Sequence, residues 1–146
     1  VGIDPVVAVA QMVHETGGLT SWWSLRPRRN PAGIGVTGET SRNKVAPGVD
    51  WQIDLKSSLW KRGYAFKDWG VAARAHLGHI LVYAVKPENM TDNQRQAVLF
   101  DPRAGAVPVA FRGSAPRLSD LDGHWAVPGV GYGAKIALIA NAIIGA

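Results

Sequence analysis

The stretch that most limits what this chain can become is Asp4 to Ser21, DPVVAVAQMVHETGGLTS, an apolar helix that carries one carboxylate, Glu15, to a stop made of two glycines. Asp4 is a good N-cap, Pro5 fits the first helical position, and the aspartate charge suits the positive end of the helix dipole. Val6, Val7, Ala8, Val9, Ala10, Met12 and Val13 follow with only Gln11 polar among them, so the pattern predicts a helix threaded through a core. Gly17 and Gly18 can take the left-handed conformation that ends helices. Glu15 then falls in the last turn, where the negative end of the dipole and apolar surroundings favour the protonated acid. An acid held in that form suits proton donation to a leaving oxygen. The plain alternative is an exposed last-turn glutamate trailing a buried helix.

At 146 residues and 47% apolar content, the chain makes one domain, 1–146, with a sizeable core. No apolar run reaches the roughly eighteen residues of a membrane span. No charged-then-apolar leader with a cleavage site is visible, and a chain beginning at Val1 leaves export undecided. The absence of cysteine excludes disulfides and thiolate zinc sites. A net charge of +5 and a pI near 9.9 favour anionic partners. Arg26, Arg28 and Arg29 lie beside Trp22 and Trp23, a mixture that could stack on bases. Their loop is broken by Pro27 and Pro31 and holds no reading motif, so nucleic acid is not the expected partner. Tryptophan serves sugar rings equally well.

Further along, Leu19 to Ala32 reads as a loop or short helix. From 35 to 63 the helical period disappears. Gly38, Pro47 and Gly48 punctuate alternating segments at Val36-Thr37, Val49 to Leu55 and Trp60, which predict two or three short strands. Asp68 caps a helix through about Ala84, Thr91-Asp92 another through about Phe100, and a last helix spans about Tyr132 to Ile144. Between them, 101–123 is rich in Pro, Gly and Arg and reads as turns. His76 and His79 sit one turn apart without further ligands, and Ser119, Asp120 and Asp122 lack EF-hand spacing, so no metal is expected. The two histidines read as surface or satisfied-core residues.

Four blocks carry a resemblance: AQMVHETGGLTS, NPAGIGVTG at 30–38, YAFKDWGVAARAHLGHIL at 64–81, and WAVPGVGYGAKIALIANAI at 125–143. In this order, and over most of the chain, they resemble the glucosaminidase domain of glycoside hydrolase family 73, within the lysozyme-like superfamily. The resemblance implies an α+β, mainly α, lysozyme-like helical domain, with a small β-hairpin lobe at about 35–63 forming one wall of a cleft. It implies a peptidoglycan hydrolase, an endo-β-N-acetylglucosaminidase, with Glu15 at the position of the catalytic acid.

The family commonly takes a second carboxylate from the lobe, and the candidates are Glu39, Asp50 and Asp54. Asp50 is favoured because it precedes the strand-like WQIDL run, with Asp54 a close rival and a substrate-binding candidate. Some relatives read Trp-Glu where this chain has Trp51-Gln52, so the choice stays open. So does the stereochemical outcome: an inverting pair stands about 6.5–9.5 Å apart and a retaining pair about 5–5.5 Å. The resemblance further implies that Asn30 helps position a sugar, that Tyr132 lies beside the scissile bond and orients the N-acetyl group or water, and that Trp125 is a sugar platform.

It implies no cofactor, a monomer, peptidoglycan glycan strands as partner, and an extracellular or wall-associated location, or a phage lysin acting on the wall. The alternatives are a muramidase or lytic transglycosylase cutting the neighbouring bond, and a non-catalytic wall-binding module.

Overall fold

Helix α1 (Pro5–Thr16) begins and ends where its sequence signals lie. The Asp4 carboxylate accepts from the N–H of Val6 at 2.8 Å and of Val7 at 3.4 Å. Gly17, at φ 58°, closes the other end by donating to the Val13 carbonyl. The computed structural model describes residues 1–43 and 50–146. It corrects one feature of α1, which is laid on the core and not threaded through it. Val9 is 44% exposed, whereas Gln11, the one polar residue of the apolar run, is 1% exposed. Burial of a polar side chain costs free energy unless it is hydrogen-bonded, so Gln11 marks a functional or structural polar network under the helix.

The architecture is α+β and mainly helical: among the described residues, four α-helices accompany one small antiparallel sheet. Strands β1 (Thr40–Ser41), β2 (Trp51–Asp54) and β3 (Leu59–Arg62) lie in the order β1-β3-β2, with Ile53 opposite Trp60 and Thr40 opposite Lys61. Val36-Thr37, expected as a strand, is extended loop instead. Pro47, Gly48 and Val49, expected to punctuate and enter this lobe, lie outside the described residues.

Helix α2 (Trp69–Ala84) is the most deeply set of the four, with Ala72, Ala75, His76, Leu81 and Val82 all buried. Asp68 caps it by accepting from the Val71 N–H at 2.8 Å. Its Gly78 lets α3 (Asp92–Val98) approach closely, since a Cβ there would run into the Ala97 carbonyl. Helix α3 starts on the Thr91/Gln94 capping box and stops two residues before the expected Phe100. Turns and short 3₁₀ segments fill 101–123, and α4 (Tyr132–Ile144) closes the chain against α1. Gly131 offers α4 no capping side chain. Asp122 supplies it from nine residues away, accepting from the N–H groups of Gly131 and Gly133 at 2.7 Å each. No described helix is long and apolar enough to cross a membrane.

One core cluster joins α1, α2 and α4 through Ala10, Val82 and Ile136, and a second joins the 32–34 loop to α2 through Ile34, Phe66 and Ala72. Trp125 packs against both, so it sits at their seam. His76 lies at the base of that seam, wholly buried, its Nε2–H donating to the Ala8 carbonyl of α1 at 3.2 Å. Burial pushes its imidazole down to about 4 from the ordinary 6.5.

The unfolded chain therefore takes up this proton first as pH falls. The native state loses stability from about pH 6.5 downward, and the loss is complete near pH 4, at about 3 kcal/mol for a gap of that size. Thermal unfolding followed from pH 7 to pH 4 checks this. The stability gap between wild type and His76→Gln is expected to narrow by that amount over the window, because glutamine has no proton to take up.

Candidate active site

Glu15 leaves the last turn of α1 half-buried, and one of its oxygens is spoken for. Its Oε1 accepts from the Trp125 indole N–H at 2.8 Å and from the Tyr132 hydroxyl at 2.6 Å. Tyr132 Oη in turn accepts from Gln11 Nε2 at 2.9 Å, which is the network that the buried glutamine serves. Glu15 Oε2 has no partner among the described residues and is not sealed from solvent. Burial, followed by the neighbouring Glu15 charge, pushes the Tyr132 phenol up, so it stays protonated and donates to the carboxylate across the usable pH range. With two donors fixed on Oε1, a proton carried by Glu15 resides on Oε2. The expected apolar setting is corrected: the immediate neighbours are a phenol and an indole N–H.

Glu15 borders a cavity of about 360 Å³, within the range of small-ligand sites. One wall is the loop 32–37, another is α2 through His79 and Tyr83, and a third is the 103–108 turn. Trp125 and Ala126 close it beside Glu15. The loop is held by Asn30, whose Nδ2 donates to the carbonyls of Ile34 at 2.9 Å and Tyr64 at 3.0 Å, and whose Oδ1 accepts from the N–H of Ala32 at 3.3 Å and of Ile34 at 2.8 Å. No family model, curated protein or solved structure matches the chain. The site's chemistry is read from its own groups.

Glu15, Tyr132 and Trp125 come together, though two of them do other work than expected. Tyr132 is 4% exposed, does not line the cavity and donates to the Glu15 carboxylate, so it holds that side chain in place. Trp125 lines the cavity, but its ring is edge-packed against His79 at 4.8 Å and its N–H is spent on Glu15, so it positions more than it offers a free face. Asn30, expected to touch a sugar, is 0% exposed with its donors and acceptor all engaged inside the loop.

The lobe's acids are drawn away into ion pairs. Asp50 Oδ2 and Glu39 Oε2 both take Arg62, at 3.3 and 2.9 Å, and Asp54 takes Lys61 at 2.8 Å. Hydrogen bonds from Lys61 and Ser57 hold the Asp54 carboxyl down at about 2, so it is ionised and occupied. None of the three lines the Glu15 cavity, and no described strand residue does either. The strands are therefore not the wall; of the lobe expected at about 35–63, only its first residues, Gly35, Val36 and Thr37, line the cavity, continuing the loop from Ala32.

The sequence alone reads His79 as a surface or satisfied-core residue and does not single out Asp101. They are 22 positions apart, and the His79 Nδ1 meets the Asp101 Oδ2 at 2.6 Å, with the Asp101 carboxylate fully buried. The only sequence signal is that Asp101 follows α3 directly in a Phe-Asp-Pro-Arg turn, at the point where α3 returns to α2. The second oxygen of Asp101 accepts from the Arg103 N–H at 2.8 Å, which fixes the carboxylate in place. Among the described residues no cluster of three or more histidine and carboxylate groups is arranged to hold a metal.

Proposed function

We propose that this domain cleaves the glycan strand of peptidoglycan as an endo-β-N-acetylglucosaminidase, with Glu15 as the general acid. The observation that carries the reading is the asymmetry of Glu15, which borders the cavity: Oε1 is fixed by Trp125 and Tyr132, while Oε2 has no partner among the described residues and is not sealed from solvent. A proton on Oε2 is aimed outward, where a glycosidic oxygen would sit. Transfer to that oxygen as the C–O bond breaks makes the sugar a neutral leaving group, a contribution of about 10²–10⁴-fold in rate. The mainly helical fold with its small sheet, and the family blocks of the sequence with Glu15 at the acid position, support a lysozyme-like arrangement. The net charge of +5 suits an anionic wall polymer.

The chemistry is tested by digesting purified peptidoglycan, reducing the products with borohydride and identifying the new ends by mass spectrometry. N-acetylglucosaminitol ends are the expected result. Muramitol or 1,6-anhydro ends would move the cut to the neighbouring bond, as a muramidase or a transglycosylase. Binding to the wall without any new ends would sink the hydrolase reading and leave a binding module.

A further inference from the structure

None of the three lobe acids lines the Glu15 cavity, so a second group there is sought among the residues that do. We propose that His79, oriented by Asp101, is that second group, acting as general base on the attacking water. The proposal rests on the hydrolase reading above and adds the residue that completes it.

His79 and Glu15 border the same cavity, on α2 and α1 respectively. The His79 Nδ1 is tied to a fully buried carboxylate at 2.6 Å, which sets the ring's orientation and, with Nδ1 protonated, leaves the lone pair on Nε2. That Nε2 has no partner among the described residues and is not sealed off, on a residue that lines the cavity. Trp125 touches both groups, its N–H on Glu15 and its ring edge-on to the imidazole at 4.8 Å. Tyr83 packs on the imidazole at 5.5 Å and on Trp125 at 5.4 Å, so the two rings together limit the imidazole's rotation.

Water gives one proton to His79 Nε2 while its oxygen bonds to the anomeric carbon. The bond from that carbon to the bridging oxygen breaks, and the bridging oxygen takes the proton from Glu15 Oε2. The imidazolium formed faces the Asp101 carboxylate, and solvent returns the proton to Glu15. The product carries the inverted, α configuration.

The test follows muropeptide release by the intact protein and its variants, with thermal unfolding as the folding control. His79→Ala is expected to lower kcat by about 10²-fold or more, with part of the rate restored by added imidazole. Asp101→Asn is expected to lower kcat with KM little changed, since an amide facing Nδ1 reverses the tautomer. Proton NMR of the first product from wild type is expected to show the α-anomer, a readout that needs no variant to fold. A folded His79→Ala within threefold of wild type, a folded His79→Ala that is slow but not rescued, or a β-anomer formed first would each overturn the proposal while leaving Glu15 as the acid. Wild type that releases no new ends would instead be the failure of the hydrolase reading itself.

Discussion

Glu15→Gln is expected to fold as wild type does and to release new reducing ends about 10²–10⁴-fold more slowly. The substitution is nearly isosteric, and the part of Glu15 that the fold uses is the part that glutamine keeps. The amide oxygen can still accept from the Trp125 indole and the Tyr132 hydroxyl, which are the two donors now on Oε1. The amide nitrogen then takes the place of Oε2 and faces the cavity. That position loses its transferable proton and little else. Initial rates on peptidoglycan, set beside thermal unfolding of both proteins, check the claim. A variant retaining a tenth or more of the wild-type rate would mean that Glu15 is not the acid. A variant that loses activity together with many degrees of stability would mean that the carboxylate is chiefly part of the Gln11–Tyr132 network.

That network shows what the sequence could and could not reveal. Asp4, Pro5 and Gly17 act within one or two turns of their positions, so both ends of α1 were legible, and the same holds for Asp68 on α2 and Thr91 on α3. The position of Glu15 followed from counting along that helix. The resemblance put Tyr132 and Trp125 in the same site, but their hydrogen bonds to Glu15 did not follow, because both lie more than a hundred residues away along the chain. Gln11 reads as the polar outlier of an apolar helix and proves to be its most purposeful buried residue.

The acids of the sheet misled for the opposite reason. Asp50 and Asp54 stand where a catalytic lobe would place them, but Lys61 and Arg62 on β3 lie within reach and take them up. Charge type and position along the chain cannot show such pairing. The His79–Asp101 contact is hidden likewise, since it depends on where α3 turns back onto α2. Asp122 is a further case: it falls in a stretch that reads only as turns, and its two oxygens serve as the missing cap of α4.

Asn30→Ala is expected to be the most damaging single substitution to the fold, at roughly 3–6 kcal/mol. Alanine removes both donors and the acceptor of a side chain with no exposed surface. The Ile34 carbonyl keeps the Tyr64 N–H at 3.2 Å, but the N–H groups of Ala32 and Ile34 and the Tyr64 carbonyl each lose a partner. A buried polar group left without a partner costs about 1–3 kcal/mol. Set against a total of about 5–15 kcal/mol for a domain, the loss is a large fraction. It corresponds to a fall in Tm on the order of 10 °C or more. Asparagine is specifically required, because aspartate would keep the acceptor while losing both donors and burying a charge. The damage also reaches the site, since the loop that Asn30 pins supplies one wall of the Glu15 cavity. A sugar-contacting asparagine would behave differently, raising KM while leaving the unfolding temperature in place. Thermal unfolding and KM measured on the same variant separate the two roles, and a stable Asn30→Ala with raised KM would return Asn30 to the substrate.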